Sequence, residues 1–164
     1  MFGTKGAIAI QDFVYLGFRI TIEGVLPDEG KVLAIRDYPI PKNVTDVHSF
    51  LELASYYQCF VLNFARLAQP LATLLKKEVQ FEWTSDCDLA FCALKAQLTN
   101  PPILHHPDFD LPFILYTDWC QSRIGAILPQ SIFGKEHVIA YASRVLHPNE
   151  MNYSVNEGEC LAAL

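Results

Sequence analysis

Apolar positions change period along this 164-residue chain, and the changes mark out its parts. Residues 13–22, FVYLGFRITI, mix β-branched and aromatic side chains around Gly17 and lead into Glu23-Gly24, which predicts one strand or a short hairpin. Helical spacing takes over after Pro27-Asp28, where Val32, Ile35 and Arg36 predict a short helix that Tyr38-Pro39 and Pro41 end. In a second helix Val47, Phe50, Leu51, Ala54 and Tyr57 share one face, with Asn43 or Thr45 as cap. A third runs from about Ala65 to Lys76 on Leu67, Leu71, Leu74 and Leu75, with Pro70 in its first turns. Ser85 and Asp88 have the form of a capping box ahead of Cys87, Phe91, Leu94 and Leu98, the apolar face of a fourth helix.

Prolines 101, 102, 107 and 112 then mark a linker. Its adjacent His105 and His106 point apart on an extended chain and are read as surface or packing residues rather than a metal pair. Beyond the linker, residues 113–118, 123–128 and 137–143 are β-rich runs at hairpin spacing, which predicts three antiparallel strands. Ser154 caps an opening helix that turns apolar at Cys160, Leu161 and Leu164. The fold class is therefore α+β: a strand remnant, about four helices, then three strands and the start of a helix.

Composition narrows the function. With 51% hydrophobic and 18% charged residues the chain is a core former, which excludes disorder and low complexity. A net charge of −6 repels polyphosphate, so any contact with nucleic acid must come from local basic spots. Cys59, Cys87, Cys92, Cys120 and Cys160 are odd in number, lack C-x-x-C spacing and sit in apolar patterns, which predicts buried thiols in a reducing compartment with neither disulfide nor zinc. The N-terminus does not read as a signal peptide, and no run of 18 apolar residues suggests a membrane span. The expected setting is intracellular, cytoplasmic or nuclear. Tyr56, Tyr57, Phe60 and Phe64 are core by their helical spacing rather than a platform for stacking bases.

The string VYLGFRITIEGVLPDEGKVLAIRDYPIPKNVTDVHSFLELASYY resembles the end of the palm and the thumb of a gypsy-type LTR-retrotransposon reverse transcriptase. FEWTSDCDLAFCALKAQLTNPPILHHPDFDLPFILYTDWCQSRIGAIL is similar to the tether and first two strands of the RNase H domain that follows it, and HVIAYASRVLHPNEMNYSVNEGECLAAL to its third strand and first helix. The resemblance runs without a gap from about Phe13 to Leu164, and it implies palm end over 1–23, thumb and connecting helices over 24–100, and the first half of an RNase H-like domain over 101–164. It also implies ancestral partners, DNA or an RNA:DNA hybrid, and an ancestral cofactor, Mg²⁺.

The same resemblance assigns residues. Tyr15, Leu16 and Gly17 match a segment that helps to hold a primer end, a role without chemistry of its own. Asp118 matches the first metal-binding aspartate, at the end of strand one, and Glu159 matches the glutamate of E-x-x-A on the first helix. RNase H chemistry clamps the attacking water and the leaving oxygen between two metal ions about 4 Å apart, and that takes several carboxylates. Two of the set are present before the sequence stops at Leu164, and the adjacent aspartates of the polymerase are absent. On their own residue types, Asp118 reads as a strand-end turn residue and Glu159 as a solvated helix acid.

Five residues at three places depart from the family's form. Trp119-Cys120 follows Asp118 where the family has Ala-Ser. Gln58-Cys59 follows Tyr56-Tyr57 where it has two arginines, and Glu52 replaces a small glycine. The expectation is a retroelement-derived chain, inactive alone, that binds hybrid weakly and self-associates through an unpaired edge at residues 113–117. The alternatives are a domesticated nucleic-acid or protein interaction module, and RNase H activity completed by downstream sequence.

Overall fold

The computed structural model describes residues 12–164; the part of the expected palm-end segment before Asp12, and the reading of the N-terminus as no signal peptide, lie outside the described residues. β1 (Asp12–Tyr15) and β2 (Phe18–Thr21) pair antiparallel across Leu16 and Gly17, and β3 (Val25–Pro27) pairs with β2 as a third strand. The strand or short hairpin of the sequence reading is thus a small meander.

The helices start where side chains satisfy their first free N–H groups. Asp28 accepts from the Lys31 amide at 3.2 Å to open α1 (Glu29–Arg36), and Asn43 accepts from Asp46 at 2.9 Å to open α2 (Val44–Tyr56). α3 (Phe64–Thr73) has no cap from Asn63; the Ala65 amide instead donates to the Ser143 hydroxyl at 2.9 Å, 78 residues away. α3 stops short of Lys76 because its last turn tightens to i→i−3 bonds, Leu74 to Leu71 and Leu75 to Ala72. α4 (Ser85–Thr99) is capped by Thr84, whose hydroxyl accepts from the Cys87 amide. The expected capping box of Ser85 and Asp88 does not form, since Thr84 holds the extended cap conformation and Ser85 is already helical.

Ile35, Val47, Phe50, Ala54, Tyr57, Phe60, Leu71, Phe91, Leu94 and Leu98 meet in one core among these helices. Each fully buried large side chain contributes about 1.5–3 kcal/mol. Phe50 and Phe91 pack with ring centroids 4.6 Å apart, and Lys95 reaches across Phe91 to donate to the Tyr38 carbonyl at 2.8 Å.

β4 (Tyr116–Cys120), β5 (Arg123–Ile132) and β6 (Lys135–Val145) form the second sheet, in that order and antiparallel. The first strand begins at Tyr116 rather than Phe113. Ile114 donates to the Pro129 carbonyl at 3.1 Å, but Pro129 has no N–H to return the bond, and the register shifts between Leu128 and Pro129. Asp118 therefore lies mid-strand opposite Gly125 and does not end the strand. α5 (Val155–Ala163) opens with a full capping box of Ser154 and Glu157.

The linker is stitched to both sheets. Leu104 and Val25 exchange two backbone bonds, at 2.7 and 3.1 Å, and the His105 amide donates to Val138 at 2.9 Å. Buried Gln130 accepts from the Asp108 amide at 2.9 Å and donates to the Asp108 and Leu111 carbonyls at 2.7 and 3.2 Å. Of the cysteines only Cys87 is buried; Cys59 and Cys120 are half-buried, and Cys92 and Cys160 are exposed, which corrects the expectation of five buried thiols. The reason at α5 is plain: Gly158 is the residue it buries, so Cys160 and Leu164 turn outward. Among the described residues no helix is long and apolar enough to cross a membrane.

Candidate nucleic-acid interface and carboxylate positions

The hairpin tip holds the first group of predicted site residues. Leu16 and Gly17 have φ of 47° and 75°, the left-handed pair that fits the twist of a two-residue hairpin. Glycine adopts it freely, while at Leu16 the conformation costs roughly 1–2 kcal/mol. Gly17 is also short of room, for a Cβ there would stand 3.0 Å from the Tyr57 hydroxyl. The side chains of Tyr15 and Leu16 are 60% and 68% exposed.

The helical region meets this tip through aromatic residues. Phe18 stacks on Tyr56 with centroids 5.4 Å apart and meets Tyr57 edge-on at 5.5 Å. Tyr57, Phe60 and Phe64 are core, as their spacing predicts, whereas Tyr56 stands at the surface. Gln58 is exposed and Cys59 half-buried, and burial pushes the Cys59 thiol up, so neither position presents a charge.

Asp118 occupies the side of β4 that faces α3. It lines a cavity of about 150 Å³ with Asn63, Arg66, Arg123, Gly125 and Ser143. Arg123 is held there by a 2.8 Å bond to Gln69. In the same cavity Cys120 is pushed up by burial, but bonds from Ser122 and the nearness of Arg123 outweigh this and its thiol lies below the usual range.

Trp119 packs against α5. A Cβ built on Gly158 would fall inside the indole, so the bulky aromatic beside the carboxylate and the glycine before Glu159 are fitted to each other. The indole Nε1 is buried without a hydrogen-bond partner, which costs about 1–3 kcal/mol. Glu159 follows Gly158 on α5 and is exposed.

Asp118 and Glu159 thus lie on the two expected elements, a strand and the helix packed on it, but Asp118 is on the side of β4 away from Trp119 and α5, so the structure does not bring the two carboxylates together. Among the described residues no three His, Cys, Asp or Glu are grouped so as to hold a metal ion, and the residues here do not fit a complete two-metal site. Sequence reasoning missed the contacts of Tyr56 and Tyr57 with the tip. It also missed the 2.9 Å bond between His137 Nδ1 and His105 Nε2. A Tyr-Tyr pair at a helix end is a visible signal; the histidine pair, 32 residues apart, has none.

Residues 83–164 match the family described as an RNase H-like domain found in reverse transcriptase. The chain is 38% identical over 158 residues to the retrovirus-related Pol polyprotein from transposon 412 of Drosophila melanogaster, covering 96% of this chain and 13% of the relative. It is 40% identical over 160 residues to the Pol polyprotein from transposon gypsy of the same fly, covering 90% and 15%. The fold matches the foamy viral protease-reverse transcriptase solved in complex with RNA/DNA hybrid, with a TM-score of 0.77 at 22% identity over 93% of this chain and 21% of that one. The chain therefore spans about one-seventh of the length of these curated relatives.

Proposed function

Because the chain belongs to the RNase H-like domain family of reverse transcriptases, carried by retrovirus-related Pol polyproteins, we propose that it supplies a primer-contacting hairpin, a thumb and the opening part of the RNase H-like unit, and that by itself it performs neither reaction. The family generally depends on divalent metal ions. In this reading Asp118 and Glu159 are two of its Mg²⁺ ligands. The observation that carries the proposal is that no three His, Cys, Asp or Glu are grouped so as to hold a metal ion among the described residues. Two isolated carboxylates hold a strongly hydrated ion poorly, and two-metal hydrolysis needs both ions in place.

The partner in this reading is DNA or an RNA:DNA hybrid, met along the hairpin tip and the thumb. Contact is weak, because the chain carries −6 net charge and the Gln58-Cys59 pair neutralises no phosphate. The setting is intracellular. The purified chain, given Mg²⁺ or Mn²⁺, is expected neither to extend a primer nor to cut a hybrid; cleavage that disappears in Asp118→Asn and Glu159→Gln would overturn the proposal.

A further inference from the structure

The hairpin tip is held from outside its own ladder. Tyr56 and Tyr57 are adjacent at the C-terminal end of α2 and lie 40 residues from the turn in sequence. Tyr56 donates its hydroxyl to the Leu16 carbonyl, and Tyr57 donates to the Gly17 carbonyl at 2.8 Å. The Gly17 carbonyl also accepts from the Asp28 amide, at 2.9 Å. Both peptide oxygens of the left-handed pair are thus occupied, and the conformation that is unfavourable for Leu16 is pinned at each step.

The two tyrosines divide the work. Tyr57 is fully buried, and burial, with smaller effects of Tyr56 and Asp28, pushes its hydroxyl up to about 12, so it remains a donor at any physiological pH. Tyr56 is 52% exposed, with its ring against Phe18 and its hydroxyl on the turn. Tight approach at Gly17 closes the fit, since any side chain there would meet the Tyr57 hydroxyl.

We infer that Tyr56 and Tyr57 are positioning residues for the tip: two hydroxyl clamps that make the hairpin and α2 move as one body and fix how Tyr15 and Leu16 face the end of a primer strand. The ligand in this inference rests on the hybrid-binding reading above, while the clamp itself rests on the geometry of the tip. A shift of the helical region would carry the tip with it, which an unclamped two-residue turn would not do.

Full-length Tyr56→Phe and Tyr57→Phe keep the rings and remove only the donors, so the thermal midpoint should fall by only about 2–4 °C. Amide exchange over residues 14–19 should rise about three- to tenfold in each, by the worth of one hydrogen bond, while α2 stays protected. Gly17→Ala should loosen the same residues, and by less when Tyr57→Phe has already removed the hydroxyl it meets. With p-azidophenylalanine in place of Tyr15, a hybrid carrying a recessed DNA 3′ end should crosslink near that end in the parent and at scattered positions in Tyr57→Phe. Unchanged exchange at the tip in both Phe variants would overturn the inference. Faster exchange with no crosslink even in the parent would support the clamp and overturn the hybrid reading it serves.

Discussion

Helices α1–α4 and the β4–β5–β6 sheet are held by different kinds of contact. In the helical region Ile35, Phe50, Tyr57, Leu71, Leu94 and Leu98 have essentially no exposure and touch one another across short loops. In the sheet region the residues with least exposure are Pro129, Gln130 and Leu146, and α5 contributes only Gly158. The sheet leans outward for support, through Val138 and Tyr141 on the helical core and through the linker bonds at His105 and Gln130. One region owns its core and the other borrows it, so the same kind of damage should have different reach in the two.

A matched pair of substitutions should show this most strongly. Phe50→Ala, in the middle of the aromatic cluster, should lower the unfolding free energy by about 3–5 kcal/mol and take both regions with it. Gly158→Ala should cost about 1–3 kcal/mol through overpacking against Trp119, with the loss confined to α5 and β4. Urea titration followed by tryptophan emission separates the two, since Trp119 sits in the sheet region and Trp83 packs on Phe91 in the helical one. A global transition of equal size in both variants would erase the proposed difference.

The next effect concerns association. Among the described residues β4 pairs on one side only, and Phe113, Leu115 and Tyr116 beside that edge are about half exposed. We expect the chain to self-associate at micromolar concentration, and a charge placed there by Leu115→Lys to return it to monomer. Sedimentation velocity reads this directly. A parent chain that sediments as monomer throughout would remove the edge from the account.

The smallest effect is a dependence on pH at the junction. Burial, then the neighbouring His137, lowers the His105 pKa from its ordinary 6.5; Glu23 opposes this and His106 adds to it. The fold therefore favours neutral His105, and the unfolded chain takes up the proton first. The stability contributed by the His105–His137 bond is present above about pH 6.5 and is lost as pH falls through the depressed value. Gln130, opposite His137 on β5, is uncharged and does not compensate. Imidazole titration by NMR should show His105 protonating below 6.5 together with loss of protection at its amide, and His137→Gln should flatten that response. A titration of His105 at or above 6.5 would contradict it.

Much of the helical region could be read from local signals. Asp28 and Asn43 cap where the polar residue precedes the apolar stripe, and the apolar faces of α2 and α4 are the faces that bury. The cap of α4 shifted by one residue because Thr84 and Ser85 are equally good candidates in sequence and backbone conformation decides between them. The late start of β4 depended on one missing N–H, at Pro129 on a different strand, which no pattern within residues 113–118 reveals. Of the candidate site, the family motifs picked out Tyr15, Leu16, Gly17, Asp118 and Glu159. The tyrosine clamp, the fit of Trp119 to Gly158 and the role of Gln130 join residues 19 to 40 apart, and only the folded chain brings them together.

Native-state amide exchange tests the central contrast most directly. If the helical region owns its core and the sheet region borrows it, residues 110–164 should exchange at least about 100-fold faster than residues 43–98, a gap that subglobal opening readily produces. Equal, slow exchange in both regions would show a single cooperative core and contradict the account.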